Sequence, residues 1–202
     1  FWVKLIGEFN AYNILAAYAV AKQFNFEDYQ ILTALSVLNS PQGRFQCIRN
    51  KDAVTGIVDY AHTDDALKNI LSTVNTIRDN TQSLITVLGC GGDRDKSKRP
   101  LMAQVACNMS TQVIITSDNP RSESPENIIE DMIDGLDLIQ KKKILAITDR
   151  RQAIIAAGKL AKGHDIILIA GKGHEKFQEI KGKKFPFDDF EELKYSLNII
   201  SK

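Results

Sequence analysis

A chain of 202 residues with 44% hydrophobic content can bury the core of one full domain, or of one domain plus a fragment, and this excludes a largely disordered protein. Its 26 Lys and Arg against 25 Asp and Glu leave a formal charge of +1, which excludes recognition of nucleic acid or anionic membrane by overall charge, so any anion must be bound locally. Cys47, Cys90 and Cys107 are odd in number, far apart and not in CxxC pairs, which argues against a disulfide framework or a zinc site and fits a reducing cytoplasm.

The chain opens on FWVKLIGEFN, already apolar and reading as the middle of an element, so a piece of something longer is expected. No apolar run reaches about 18 residues and no export signal is readable, so membrane insertion is not expected. Residues 10–39 carry apolar positions at helical spacing with an interruption near Phe24 to Asp28, which predicts two consecutive helices. SPQGR at 40–44 supplies breakers and a boundary. Beyond it come short β-branched runs, VTGIVDY, SLITVLG, QVIIT, KILAIT and DIILIAG. Helical stretches are predicted near 64–79, 99–109, 125–140, 149–162 and 189–200. Apolar strands separated by helices imply βαβ crossovers and a mainly parallel, Rossmann-like sheet covered on both faces. KFQEIKGKKFPF at 176–187 reads instead as a terminal hairpin.

Directly after the predicted strands stand DYAHTDD, GCGGDRDKSKR, SDNPR, TDRR and GKGHEK. In a parallel sheet all five loops leave at the carboxyl edge, the usual ligand side. The glycines at 89, 91 and 92 permit close backbone approach, and Arg94, Lys96, Lys98 and Arg99 offer charge to a phosphate or carboxylate. A flexible turn with solvated charges explains that loop equally well, and it fits neither a P-loop nor a GxGxxG fingerprint. His62 and Asp59 suit a general base and an orienting carboxylate, or a packed histidine and a turn cap. His174 and Glu175 do not form a metal site by spacing. In SDNPR, the planar fork of Arg121 suits a carboxylate and Asp118 suits an ammonium, a pair able to hold an amino-acid zwitterion; the alternative is a strand-end turn with an exposed ion pair. Ser124 and Pro125 read as N-cap and first residue of the next helix in either case.

Taken in order, GRF at 43–45, DYAHTDDAL at 59–67, GCGGDRDKSKRPLM at 89–102, SDNPRSESP at 117–125 and AGKGHE at 170–175 resemble the carboxyl-terminal part of the Mur ligases, in particular their diaminopimelate-adding branch. GEFNAYNILAA at 7–17 is similar to the end of that family's central ATPase domain. The resemblance implies a helical remnant of that domain at 1–40 and an amino-acid-binding domain at 41–202. It further implies a cytoplasmic enzyme of peptidoglycan precursor synthesis that joins meso-diaminopimelate to a UDP-linked muramoyl dipeptide, with ATP and Mg2+ as cofactors. Arg94, Asp118, Asn119, Arg121, Gly171 and Glu175 would then bind diaminopimelate. Arg44, Asp59 and His62 would lie on the nucleotide side, and Asn13 would approach adenine. No catalytic or metal residue is assigned. The family's P-loop, its magnesium-binding lysine and its amino-terminal domain have no counterpart in this sequence, so the chain alone is expected to be inactive.

Two positions depart from the family pattern. Asp64 replaces a proline, which is expected to loosen the turn, and Gln46 stands where Glu is common. A dinucleotide-binding module, a folylpolyglutamate or D-glutamate-adding relative, and a non-catalytic interaction domain are the competing readings. The missing GxGxxG disfavours the first and the DNPR sequence the second.

Overall fold

The computed structural model describes residues 1–200. Two compact units divide the chain, Phe1–Pro41 and a second that begins at Gln42. In the first, α1 (Glu8–Gln23) and α2 (Asp28–Ser36) are separated by a turn. Asn25 takes φ 60 there, the left-handed conformation that ends helices and that asparagine tolerates. A capping box between Glu27 and Gln30 then starts α2. Asp28 fastens the two helices by accepting from Lys22 Nζ at 2.8 Å and the Tyr18 hydroxyl at 2.9 Å.

The second unit runs β1 (Gln46–Arg49), β2 (Thr55–Asp59), α3 (Asp64–Ile77), β3 (Leu84–Leu88), α4 (Lys98–Met109), β4 (Gln112–Ile115), α5 (Pro125–Asp134), α6 (Leu138–Lys141), β5 (Ile144–Ala146), α7 (Arg150–Leu160), β6 (Ile166–Ala170), β7 (Phe177–Ile180), β8 (Lys183–Pro186) and α8 (Asp189–Ile200). Six strands form one sheet in the order β1-β2-β6-β3-β4-β5. All its pairings are parallel except β1 with β2. The mainly parallel α/β expectation holds.

Alternation along the strands sends side chains to two covered faces. Leu84, Leu88, Ile166 and Leu168 pack with Leu67, Leu71, Met102 and Met132 from α3, α4 and α5. Ile85, Val87, Ile167 and Ile169 pack with Ile154, Ala157, Leu193 and Leu197 from α7 and α8. Each fully buried Leu or Ile contributes about 1.5–3 kcal/mol.

Inserting β6 between β2 and β3 makes the chain leave the sheet centre in two directions. That opens a crevice at the carboxyl ends of these strands.

The structure differs from the sequence reading at several points. The helix expected over 125–140 divides at Gly135, which caps α5. A Cβ on Gly135 would stand 2.3 Å from Pro100 Cβ, so the close passage of α4 requires the glycine, and Asp137 restarts the chain as the cap of α6. Ser124 does occupy the N-cap position and Pro125 begins α5, but the serine hydroxyl turns to Glu126 Oε2 at 2.7 Å rather than capping the backbone. Asp64 is the first residue of α3, behind Thr63, whose side chain accepts from Ala66 N, and a carboxylate is favoured at that end of a helix. The edge strand β1 was not foreseen. The hairpin at 176–187 forms as β7 and β8, with Lys181 and Gly182 at φ 48 and 73, as a tight two-residue turn requires.

Candidate functional site

Four of the five strand-end loops line one cavity of about 500 Å³. Its wall is built from Tyr60, His62 and Thr63 after β2, Gly89, Cys90, Gly91, Arg94, Asp95 and Lys98 after β3, Asp118, Asn119 and Arg121 after β4, and Gly171 and Glu175 after β6. Every residue predicted to meet an amino-acid ligand therefore borders the same space. The fifth loop, TDRR, turns away: Thr148, Asp149, Arg150 and Arg151 border a separate depression behind Ser117 and Pro120.

The loop after β4 is held by the hairpin. Arg121 N donates to Glu179 O at 3.1 Å and Arg121 O accepts from Lys181 N at 2.7 Å. Gln178 Nε2 reaches Asp118 O at 2.7 Å. These bonds hold Arg121 at φ 51, a conformation costly for a residue with a long side chain. Its guanidinium is thereby aimed across the cavity, with Nη1 donating to Gly92 O at 2.7 Å and Nε 3.7 Å from Glu179 Oε2. Arg94 stays exposed, with Nη1 bonded to Asp93 O at 3.2 Å. Two guanidinium forks thus flank one opening.

Asp118, Asn119 and Glu175 line the same cavity. Burial pushes the Asp118 carboxyl above its usual range, although Arg150 and Lys172 pull the other way. Burial also acts on Glu175, but there the hydrogen bond and charge of Lys172 win and hold the carboxyl below its usual range. Cys90, the thiol on the cavity wall, is pushed up by burial to about 12, which makes it unfit as a nucleophile at neutral pH.

Beside this cavity lies a basic and aromatic edge. The Arg44 guanidinium sits 4.7 Å over the Tyr60 ring, and the rings of His62 and His174 lie 4.7 and 5.0 Å from it. Because β1 runs antiparallel to β2, its first residues reach the carboxyl rim, which brings Arg44 there. A Cβ on Gly43 would fall 2.1 Å from His174 N. Only glycine, at φ +65, lets the GRF and GKGHE loops close so tightly. Gln46 takes part in the same turn, accepting from Gly43 N at 2.9 Å. His62 Nδ1 faces Tyr60 O at 2.9 Å; a carbonyl only accepts, so that nitrogen carries a proton there.

Asp59 is committed elsewhere. Its two oxygens accept from Phe45 N at 2.8 Å and Ala61 N at 2.9 Å, which makes it a brace for the rim. Asn13 belongs to the helical unit, where its Nδ2 donates to Asn10 Oδ1 at 3.2 Å.

The family model for the Mur ligase, glutamate ligase domain matches residues 43–173. The chain belongs to the Mur ligase family. Among the relatives of this Mur ligase chain is the UDP-N-acetylmuramoyl-L-alanyl-D-glutamate–2,6-diaminopimelate ligase of Cytophaga hutchinsonii, 49% identical over 201 residues, covering 100% of this chain and 41% of that protein. The protein of the same name from Parabacteroides distasonis is 52% identical over 192 residues, covering 95% and 40%. A solved structure of a ligase with this name superposes with a TM-score of 0.76 at 42% identity, over 98% of this chain and 40% of that one. The UDP-N-acetylmuramate-alanine ligase of Thermotoga maritima, at 17% identity and a TM-score of 0.68, shares the fold. The chain thus spans about 40% of the length of these relatives.

Sequence reasoning about the Mur ligase rim put the lysine of GKGHE within reach of a ligand, but the Lys172 side chain is fully buried and does not border the cavity. It overlooked Arg150, whose side chain is also fully buried; nothing in the sequence announced either burial. Tyr60, the stacking platform of the rim, was visible within DYAHT.

Proposed function

We propose that this chain is the amino-acid-binding part of an ATP-dependent amide-bond ligase that adds meso-diaminopimelate to UDP-N-acetylmuramoyl-L-alanyl-D-glutamate. The observation that carries the reading is the single cavity that Arg94, Arg121, Asp118, Asn119 and Glu175 all border. Guanidinium forks bind carboxylates in two-point geometry, and the acidic residues bind an ammonium. One amino-acid end of diaminopimelate is held there, which leaves the amine of the other end to attack. L-Lysine lacks the second carboxylate and would forgo its charge-assisted hydrogen bonds to a guanidinium. A closed site built for a polar group rejects a ligand without it by up to about 10⁴-fold, and an exposed arginine discriminates far less.

A carboxylate is a poor electrophile, and ATP supplies its activation by phosphorylation. The residues of this chain then position the amine rather than break bonds. Arg44, Tyr60 and His62 make up the nucleotide side of the rim, with Asp59 as its brace; Asn13, in the helical unit, is assigned to adenine by the family resemblance alone. Magnesium and the ATP phosphates are assigned chiefly to the part of the ligase that carries the family's P-loop, which this chain does not span. A cytoplasmic location follows from substrates of this kind, and among the described residues no helix is long and apolar enough to cross a membrane.

The test is amino-acid-dependent ADP release by the full-length ligase, supplied with ATP, magnesium and the UDP-linked dipeptide. Release with meso-diaminopimelate, little with L-lysine, and loss in Arg121→Ala is the expected pattern. Equal release with lysine would refute the substrate assignment.

A further inference from the structure

We propose that Lys172 is a positioning residue of the amino-acid site, which orients Asn119 and Glu175 from beneath the cavity and supplies, with Arg150, the positive charge beside Asp118. This role rests on the amino-acid reading of the cavity given above. The Lys172 side chain is 0% exposed and does not border the cavity, so it touches the ligand only through other residues. Its Nζ donates to Asn119 Oδ1 at 2.9 Å and to Glu175 Oε2 at 2.9 Å, and Asp118 Oδ1 lies 3.9 Å away.

These contacts fix the directions of two amide and carboxylate groups. Asn119 Oδ1 accepts from both Lys172 and Glu179 N, the latter at 2.9 Å, so its two lone pairs are filled. The amide nitrogen must then face the other way, where one N–H donates to Glu175 Oε2 at 2.9 Å and the other is left for a ligand carboxylate. Glu175 Oε2 is likewise saturated by Lys172 and Asn119, which leaves Oε1 for an ammonium.

The charged groups around Asp118 come from three elements: Arg150 on α7, Lys172 and Glu175 after β6, and Asp189 on α8. Burial, Glu175 and Asp189 favour a protonated Asp118, whereas Arg150 and Lys172 favour the carboxylate. Arg150 is already bound to Asp189 by two hydrogen bonds of 2.8 Å. Lys172 is therefore the cation whose charge is shared among the three ligand-facing groups. A lysine needed only to fill space would be served better by an apolar side chain, since an ammonium out of water is costly.

The experiment measures KM for meso-diaminopimelate, KM for ATP and kcat from pH 6 to 9 in the full-length ligase and its Lys172→Met variant. Losing a charged hydrogen-bond donor of this kind should raise the diaminopimelate KM about 10- to 100-fold near neutral pH. The KM for ATP should stay within about twofold. A diaminopimelate KM unchanged across the range overturns the proposal, as does an equal rise in the KM for ATP. If the unmodified enzyme releases no ADP in response to diaminopimelate, the amino-acid reading itself fails and takes this role with it.

Should Lys172→Met not fold, Lys172→Arg carries the test, since it keeps the charge but changes the donor geometry: a raised diaminopimelate KM beside an unchanged KM for ATP supports the role, and an unchanged diaminopimelate KM overturns it.

Discussion

A Cβ placed on Gly92 would stand 2.0 Å from the carbonyl oxygen of Pro120. The loops after β3 and β4 are pressed together at this point: Gly92 N donates to Asn119 O at 2.9 Å, and Gly92 O accepts from Arg121. Both the close approach and the aim of Arg121 depend on a residue without a side chain. Gly92→Ala is expected to destabilise the fold by about 1–3 kcal/mol and to raise the KM for the amino acid. Urea unfolding alongside steady-state kinetics checks both, and a variant with native KM would show that the contact does not aim Arg121.

Asp118 should oppose stability while serving binding. Its folded carboxyl is raised above the ordinary aspartate value of 3.8, so ionisation costs the folded state more than the unfolded one. That cost is present at neutral pH and vanishes below the unfolded value, where the group is neutral in both states. Asp118→Asn should therefore melt at a higher temperature than the parent at pH 7, with the gap closing below about pH 4, yet bind diaminopimelate more weakly. Calorimetric melts at several pH values, with binding titrations, test the trade.

Glu123 should do the opposite. Hydrogen bonds from Arg99 and from Asp93 N hold its carboxyl down at about 2. A depressed carboxylate stabilises fully above its unfolded pKa and loses that contribution as pH falls through the folded one. The window therefore runs from the unfolded 4.5 to about 2. Glu123→Gln should be less stable than the parent at pH 7 and nearly equal to it at pH 2, as followed by circular dichroism. A constant gap would mean that the charge on Glu123 is not what holds Arg99.

The ion pair of Arg150 with Asp189 has both side chains 0% exposed. Arg150 also donates to Ser117 O at 3.4 Å and Ala170 O at 3.2 Å, the strand ends from which the DNPR and GKGHE loops depart. Removing one member of such a pair strands a buried charge and costs about 3–5 kcal/mol. Asp189→Ala should lose that much in denaturant unfolding. Replacing both residues, Arg150→Met with Asp189→Leu, should cost less than the sum of the single losses. Additive losses would argue against direct coupling.

Much of the molecule was legible because its signals are local. Runs such as DIILIAG and SLITVLG announce buried strands by composition, and helices between them require parallel crossovers, so the α/β class and the rim of strand-end loops follow from neighbouring residues alone. SDNPR could be read as an amino-acid holder because Asp and Arg bind opposite charges wherever they stand. The close contact at Gly135 was not legible, because it is made with Pro100, far away in the chain and close only after folding.

The sequence by itself determined the class of fold, the side of the sheet that carries ligands and the charged residues that meet there, since period, turn chemistry and side-chain charge are properties of short stretches. Tertiary structure alone decided which loops share a cavity, why Arg44 reaches the rim through the unforeseen strand β1, and why Asp59 braces the rim with both oxygens engaged. It also decided that Lys172 lies beneath the site with Asn119, Glu175 and Asp118 around it. Burial and hydrogen-bond partners are set by residues more than fifty positions apart in the chain, such as Lys172 and Asn119, and no local pattern records them.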